Sequence, residues 1–204
     1  MKKLKLLSIM YSLLILSILY GEVTIGADVV SRYIWRGTDY GNAVSVQPGI
    51  ETELGPVTMG AWGSFPLTDA IGTSGTAGNE CDLYVSATVG PVALTLTDYF
   101  FPAYVRTDSL WNLDKHIFEF SASADVGPVS ILSAANVSGD DDNSTYLELT
   151  YAVFSLGLGN GIYSTDGEFS PVSIGVSASR DNFSASYIIN PDKETSFLVF
   201  GVNF

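Results

Sequence analysis

The chain has 204 residues, nine of them basic and 22 acidic, for a formal charge of −13, and 47 % are hydrophobic. So acidic a chain is a poor partner for nucleic acid. Its single cysteine, Cys81, excludes an internal disulfide, a cysteine-built zinc cluster and a redox Cys-x-x-Cys pair.

Residues 1–21 read as a cleaved export signal. Lys2, Lys3 and Lys5 form a charged start, Leu6 to Leu19 an apolar stretch, and Gly21 a small residue where a peptidase can cut. Ser8, Ser12 and Ser17 interrupt the apolar stretch, which weakens the alternative of an uncleaved anchor. Residues 22–204 then form one domain, and no later apolar run approaches the roughly 18 residues that a spanning helix needs.

From Val23 onward the dominant pattern has period two. Val44, Val46, Ile50, Thr52 and Leu54 alternate with Ser45, Gln47, Gly49, Glu51 and Glu53, so each set takes one face of a strand. The pattern returns at Leu83, Val85, Ala87 and Val89, at Phe118, Phe120, Ala122 and Ala124, and at Leu147, Leu149 and Tyr151. Gly55-Pro56, Gly90-Pro91 and Gly127-Pro128 mark tight turns. Ala152-Val153 and Arg180-Asp181-Asn182 fall at corresponding places with weaker turn chemistry. Longer connections at 37–42, 66–79, 102–115, 139–143, 164–170 and 190–194 alternate with these. The runs between them predict twelve strands: 23–36, 43–54, 57–65, 80–89, 92–101, 116–126, 129–138, 144–151, 154–163, 172–179, 183–189 and 195–204.

An even number of strands about ten residues long, with short turns at one end and longer loops at the other, predicts an all-β, up-and-down antiparallel transmembrane barrel. A lipid-facing apolar exterior and a wet interior account for the alternation on every strand, and the expected location is the bacterial outer membrane. The chain ends in a strand whose Leu198, Phe200, Val202 and Phe204 share one face; Phe200, Val202 and Phe204 resemble the assembly signal that outer-membrane barrel proteins present to their insertion machinery. Aromatic residues near strand ends, Tyr33, Trp35, Phe65, Phe100, Phe101, Tyr163 and Tyr187 at one end and Tyr151, Phe154 and Phe183 at the other, suit interfacial girdles.

The segment Ala27-Asp28-Val29-Val30-Ser31-Arg32-Tyr33-Ile34-Trp35-Arg36-Gly37-Thr38-Asp39, then Val46-Gln47-Pro48-Gly49-Ile50 and Gly60-Ala61-Trp62-Gly63-Ser64, resembles the opening of the TorF-like porins of bacterial outer membranes. The likeness is closest over the first third of the chain. It implies location and architecture more than substrate, and it supplies no catalytic residues. The short loops argue against a large plug or lid.

With the apolar set facing lipid, Asp28, Arg32 and Arg36 turn inward along the first strand, and buried arginines need acidic partners. Glu51, Glu53, Glu80, Asp82, Glu119 and Glu148 are candidates. Arg36, Glu80 and Asp82 are expected towards the outer mouth, and Arg32, Trp62, Tyr84, Glu119 and Glu148 near mid-height. These eight residues, Arg32, Arg36, Trp62, Glu80, Asp82, Tyr84, Glu119 and Glu148, form the candidate constriction. It is either a charge filter or a static network that plugs the lumen. Ser130, Ala134, Ser155, Gly157, Gly159, Ser173, Gly175, Ser177, Ser179, Ser184 and Ser186 also point inward and argue for open space.

Other motifs carry less. His116 is the only histidine, and no nucleophile motif accompanies it, so a rim position beside Lys115 is expected and catalysis is not. Asp140-Asp141-Asp142-Asn143 lacks the glycine and terminal glutamate of a calcium loop and reads as solvated. Gly157-x-Gly159-x-Gly161 precedes no helix and suggests a bulge, since alternation slips after Leu158. Cys81 shares the outward face with Leu83. No cofactor or metal site is expected. The predicted function is passive passage of small hydrophilic solutes or ions through a narrow, cation-preferring lumen, with outer-membrane lipids and lipopolysaccharide as surroundings. The alternatives are a closed structural or adhesive barrel and a lipid-modifying enzyme on a barrel scaffold.

Overall fold

A computed structural model describes residues 22–68, 79–102 and 110–204, with Lys5, Ser8, Ile9, Tyr11 and Ser12 of the first 21. The rest of residues 1–21, expected to be an export signal, and the middles of the loops expected at 66–79 and 102–115 lie outside the described residues.

The alternating runs form the wall. Its strands are β1 (Val23–Val30), β4 (Ser45–Leu54), β5 (Val57–Pro66), β6 (Glu80–Val89), β7 (Val92–Phe100), β8 (His116–Val126), β9 (Val129–Ser138), β10 (Thr145–Tyr151), β11 (Phe154–Gly159), β12 (Ser170–Arg180), β13 (Phe183–Asn190) and β14 (Thr195–Asn203). Each pairs antiparallel with its chain neighbours, and β1 pairs with both β4 and β14, which closes a twelve-stranded barrel with no free sheet edge. At the five tight turns, two residues separate paired partners such as Leu54 and Val57, and the first of the two has positive φ: Gly55, Gly90, Gly127, Ala152 and Asp181. Such turns match the twist of the strands they join. Ala152 and Asp181 take the same conformation as the glycines, so the weaker turn chemistry still gives the same turn.

The exterior is apolar and open, with Phe65, Phe120, Phe154, Phe183, Leu198 and Phe200 among its exposed large side chains. Soluble monomers rarely show so continuous an apolar surface, whereas a lipid-facing wall requires one.

Two strands depart from the sequence expectation. The first stops at Val30 instead of running to 36. Arg36 and Gly37 both have positive φ (50° and 77°), so the chain reverses between paired Trp35 and Thr38 and makes a separate hairpin, β2 (Tyr33–Trp35) and β3 (Thr38–Gly41). The strand expected over 154–163 ends at Gly159. There the Asn160 side chain accepts hydrogen bonds from the N–H and hydroxyl of Thr145, Gly161 has φ +60°, and Gly161–Tyr163 form a single 3-10 turn. The slip after Leu158 is a bulge: Gly157 opposes Ser173 and Leu158 opposes Pro171, leaving Val172 as the extra residue, fully buried.

Candidate functional site

The hairpin folds into the barrel. Its side chains reach inward-facing residues of β5, β7, β8, β10 and β13, a set of contacts available only from inside the lumen. The contacts centre on Arg36. Its Nη1 donates to Glu119 Oε2 at 2.5 Å and its Nη2 to Glu119 Oε1 at 3.0 Å, a bidentate pair with side chains 7 % and 3 % exposed. Nη1 also donates to the Tyr163 hydroxyl at 2.6 Å, and Tyr99 donates to Glu119 at 3.1 Å. The guanidinium lies 4.3 Å from the Trp35 ring centroid and 4.4 Å from that of Tyr146. A buried guanidinium therefore has a carboxylate in its plane and aromatic faces around it, the surroundings that best compensate for its desolvation.

Aromatic packing extends the contact round the wall. Tyr33 packs on Trp62 of β5, Trp35 on Tyr99 of β7 and on Tyr163, and Tyr40 on Phe101. At the tip, Asn190 of β13 donates to the Gly37 carbonyl at 3.1 Å and Lys193 Nζ to the Thr38 hydroxyl at 3.1 Å. A Cβ on Gly37 would lie 2.0 Å from the carbonyl oxygen of Val172, so the tip seats only with glycine.

These contacts revise the expected heights. Arg36 does not stand at the outer mouth on a wall strand but reaches Glu119 from the hairpin tip. Arg32 is not at mid-height; it remains at the hairpin's base, bonded to Asn42, 3.6 Å from Asp39 and over the Phe197 ring at the start of β14. Short loops argued against a large plug or lid; the first long connection nevertheless supplies a nine-residue hairpin, residues 33–41, that packs against the inner wall in the long-loop half of the barrel. Tyr33, Trp35 and Tyr163 are not girdle residues, because each packs in this interior cluster. Phe65, Tyr151, Phe154, Phe183 and Tyr187 are exposed on the outer wall as expected.

Of the remaining candidates, Glu80 and Asp82 are buried beside Tyr33. Trp62 opposes Asp82 in register, Tyr84 donates to Glu51 at 2.9 Å, and Glu148 accepts from Tyr146 at 2.8 Å. The inward glycines do not all leave space. A Cβ on Gly157 would lie 2.1 Å from the Tyr146 hydroxyl, and one on Gly60 2.3 Å from Tyr84, so tyrosines of neighbouring strands cover both. Towards the tight turns the lumen does widen. One cavity of about 580 Å³ is lined by Asp28, Glu51, Trp62, Asp82, Tyr84 and neighbours, and a second of about 340 Å³ by Ser123, Asp125, Ser130, Glu148, Thr150 and neighbours. Neither lining contains a basic residue. Ser177, Ser179, Ser184 and Ser186 face this half.

His116 is not an open rim residue. It pairs with Asp98 of β7 at 2.7 Å through Nδ1, while Nε2 donates to the Leu110 carbonyl at 3.1 Å. His116, opposite Phe100, and Asp98, opposite Phe118, lie on the outer face of the wall and are almost fully buried. Both ring nitrogens are engaged, so the imidazole clamps the 110–115 segment and has no free nitrogen to act as a base.

The acidic loop satisfies itself. Asp140 accepts hydrogen bonds from the Asn136 side chain and from the backbone N–H groups of Asp142 and Ser144. Desolvation raises its pKa, but these bonds outweigh it and hold the carboxyl below the usual aspartate range. The depressed value means that the loop's contribution to stability is full above the ordinary aspartate range and is lost as pH falls through the lowered value. Chemical-shift titration of the Asp142 and Ser144 amides should show loosening only at acid pH, and Asp140→Asn should abolish that titration.

Sequence reasoning missed Asp98, Tyr99, Tyr146, Asn190 and Lys193 as partners. The hairpin had a readable signal, a two-residue Arg36-Gly37 turn flanked by Tyr33, Trp35, Thr38 and Tyr40 in alternation.

A closed, apolar-faced, twelve-stranded antiparallel barrel fits an outer-membrane protein and is compatible with a channel. Comparison with known proteins finds no matching family model, no similar curated protein and no similar solved structure, so the function is argued from the residues.

Proposed function

We propose that this chain is an outer-membrane, porin-like channel for small hydrophilic solutes or ions, with the 33–41 hairpin as its constriction. In this reading residues 1–21 direct export and are removed, the tight turns face the periplasm, the exterior meets outer-membrane lipid and lipopolysaccharide, and Phe200, Val202 and Phe204 engage the insertion machinery. The resemblance of the first third to TorF-like porins supports the same reading. The observation that carries it is the division of the lumen: a wet, acid-lined half with about 580 Å³ and 340 Å³ of cavity, and a half closed by side chains of an inserted segment rather than by the wall itself. A low-dielectric wall focuses the field of Asp28, Glu51, Asp125 and Glu148, which favours cations. The reading includes no enzyme activity.

The multiple anchors of the hairpin favour a second reading, a permanently closed structural barrel. Reversal potentials in a potassium chloride gradient separate the two. The channel reading expects potassium to be preferred over chloride, with the preference reduced in Glu148→Ala and increased in Arg32→Ala. Chloride preference in the wild type contradicts it.

A further inference from the structure

The larger cavity of the lumen is a hollow built on glycine. Gly26 of β1 pairs with Gly49 of β4, and a Cβ on either would meet nothing nearer than 3.5 Å, so the wall leaves open space above both. Trp62 of β5 opposes Gly49, and Glu51 of β4 opposes Gly60 of β5. Glu51 and Trp62 are therefore diagonal neighbours on one face, a spacing that long side chains bridge. Tyr84 of β6 lies across Gly60, its ring where a Cβ would be, and donates to Glu51 Oε2 at 2.9 Å. At the other end Asp28 accepts from Asn203 at 2.9 Å. Gly26, Asp28, Gly49, Glu51, Trp62 and Tyr84 all border the cavity of about 580 Å³. That volume falls in the range of roughly 300–1,000 Å³ in which small molecules are held.

The upper half of the same barrel shows what such a set of groups holds. There Glu119 takes two N–H groups of the Arg36 guanidinium and the Tyr99 hydroxyl, while the guanidinium lies 4.3 Å from the Trp35 ring centroid. The hollow repeats the parts: Glu51 is the carboxylate, Tyr84 the hydroxyl and Trp62 the indole. A carboxylate offers about four acceptor sites, so the Tyr84 bond leaves room on Glu51 for a two-pronged contact. A guanidinium is planar, weakly hydrated, pairs with carboxylates through two bonds and stacks on aromatic faces. It uses all of these groups at once, whereas a compact, strongly hydrated ammonium uses chiefly the charge.

We propose that this hollow is a binding station for a solute guanidinium, which pairs with Glu51 and lies over Trp62 as Arg36 pairs with Glu119 and lies over Trp35. The open space above Gly26 and Gly49 takes the apolar body of the solute, and Asp28 adds to the field that draws it in. The inference rests on the channel reading for the solute's way in, and it deepens that reading by naming the class of solute: a guanidinium on a short apolar chain.

The test measures binding rather than current. The barrel in detergent micelles is titrated calorimetrically with butylguanidinium, with butylammonium, and with butylurea, which is the neutral isostere of the first. Butylguanidinium is expected to bind saturably and about tenfold more tightly than either of the others. Glu51→Gln, which keeps the shape of the side chain, is expected to weaken it about tenfold, and Gly49→Val, which fills the hollow while leaving Glu51 and Trp62 in place, to abolish it. Trp62→Leu is expected to erase the preference for butylguanidinium over butylammonium, and Glu168→Gln on an exposed loop to change nothing. No saturable binding to the wild type, equal affinity for butylurea, or undiminished affinity in Glu51→Gln overturns the proposal. So does butylammonium bound as tightly as butylguanidinium, which would mean that the hollow reads charge alone. Binding requires no conduction, so failure of this station is distinguishable from failure of the channel reading, which reversal potentials test separately.

Discussion

Replacing Arg36 with alanine is expected to open the lumen and destabilise the protein together. The guanidinium makes two hydrogen bonds to Glu119 and one to Tyr163, and among the described residues no other cation is bonded to that carboxylate. Removing it leaves Glu119, 3 % exposed, with hydroxyl partners alone, and breaking one side of such a buried pair costs about 3–5 kcal/mol. The cheapest relief is for water to enter and the hairpin to leave, so unitary conductance should rise several-fold while the denaturant midpoint falls. Arg36→Lys should behave almost as badly, because an ammonium cannot reproduce the two-pronged contact. Glu119→Gln combined with Arg36→Ala should recover part of the stability by removing the stranded charge. Unchanged conductance and midpoint in Arg36→Ala would mean that the hairpin is held by something other than this pair.

Deleting Phe204 is expected to cut outer-membrane levels by about an order of magnitude while leaving export across the inner membrane intact. The seam between β1 and β14 is short, with Asp28, Val29 and Val30 opposite Asn203, Val202 and Gly201. The Phe204 backbone adds two rungs, donating to the Ala27 carbonyl at 2.9 Å and accepting from the Ala27 N–H at 3.3 Å, and its ring extends the apolar outer face. Losing these rungs at the last junction to form leaves an open edge, which a barrel in lipid cannot keep. Phe204→Asp retains the rungs but puts a charge on the lipid side, so its levels should fall less than those of the deletion. Equal levels for wild type and both variants, measured by membrane fractionation, would contradict this.

The wall was legible because its two determinants are local. Alternation assigns a face to each side chain, and a two-residue turn fixes the register of the next strand. The interior was less legible. Alternation continues from Val29 through Ser31, Tyr33 and Trp35 without a break, and period two alone cannot say whether a segment stays in the wall or turns into the lumen. The positive φ of Arg36 decides between these fates, and arginine does not advertise that conformation as glycine does. The partnership of Arg36 with Glu119 spans 83 positions and depends on the hairpin's depth, which no spacing encodes. The Asp98–His116 pair left a fainter trace, a carboxylate at outward parity opposite Phe118, where a lipid-facing wall should have none.

The most direct test of the account is to replace residues 33–41 with a short glycine-serine linker and record single channels beside the wild type. The segment is not part of the wall, so the barrel should still insert. A hairpin that constricts a water-filled lumen predicts a cation-preferring conductance several-fold larger than that of the wild type. An inserted barrel that conducts no better without its hairpin would contradict it.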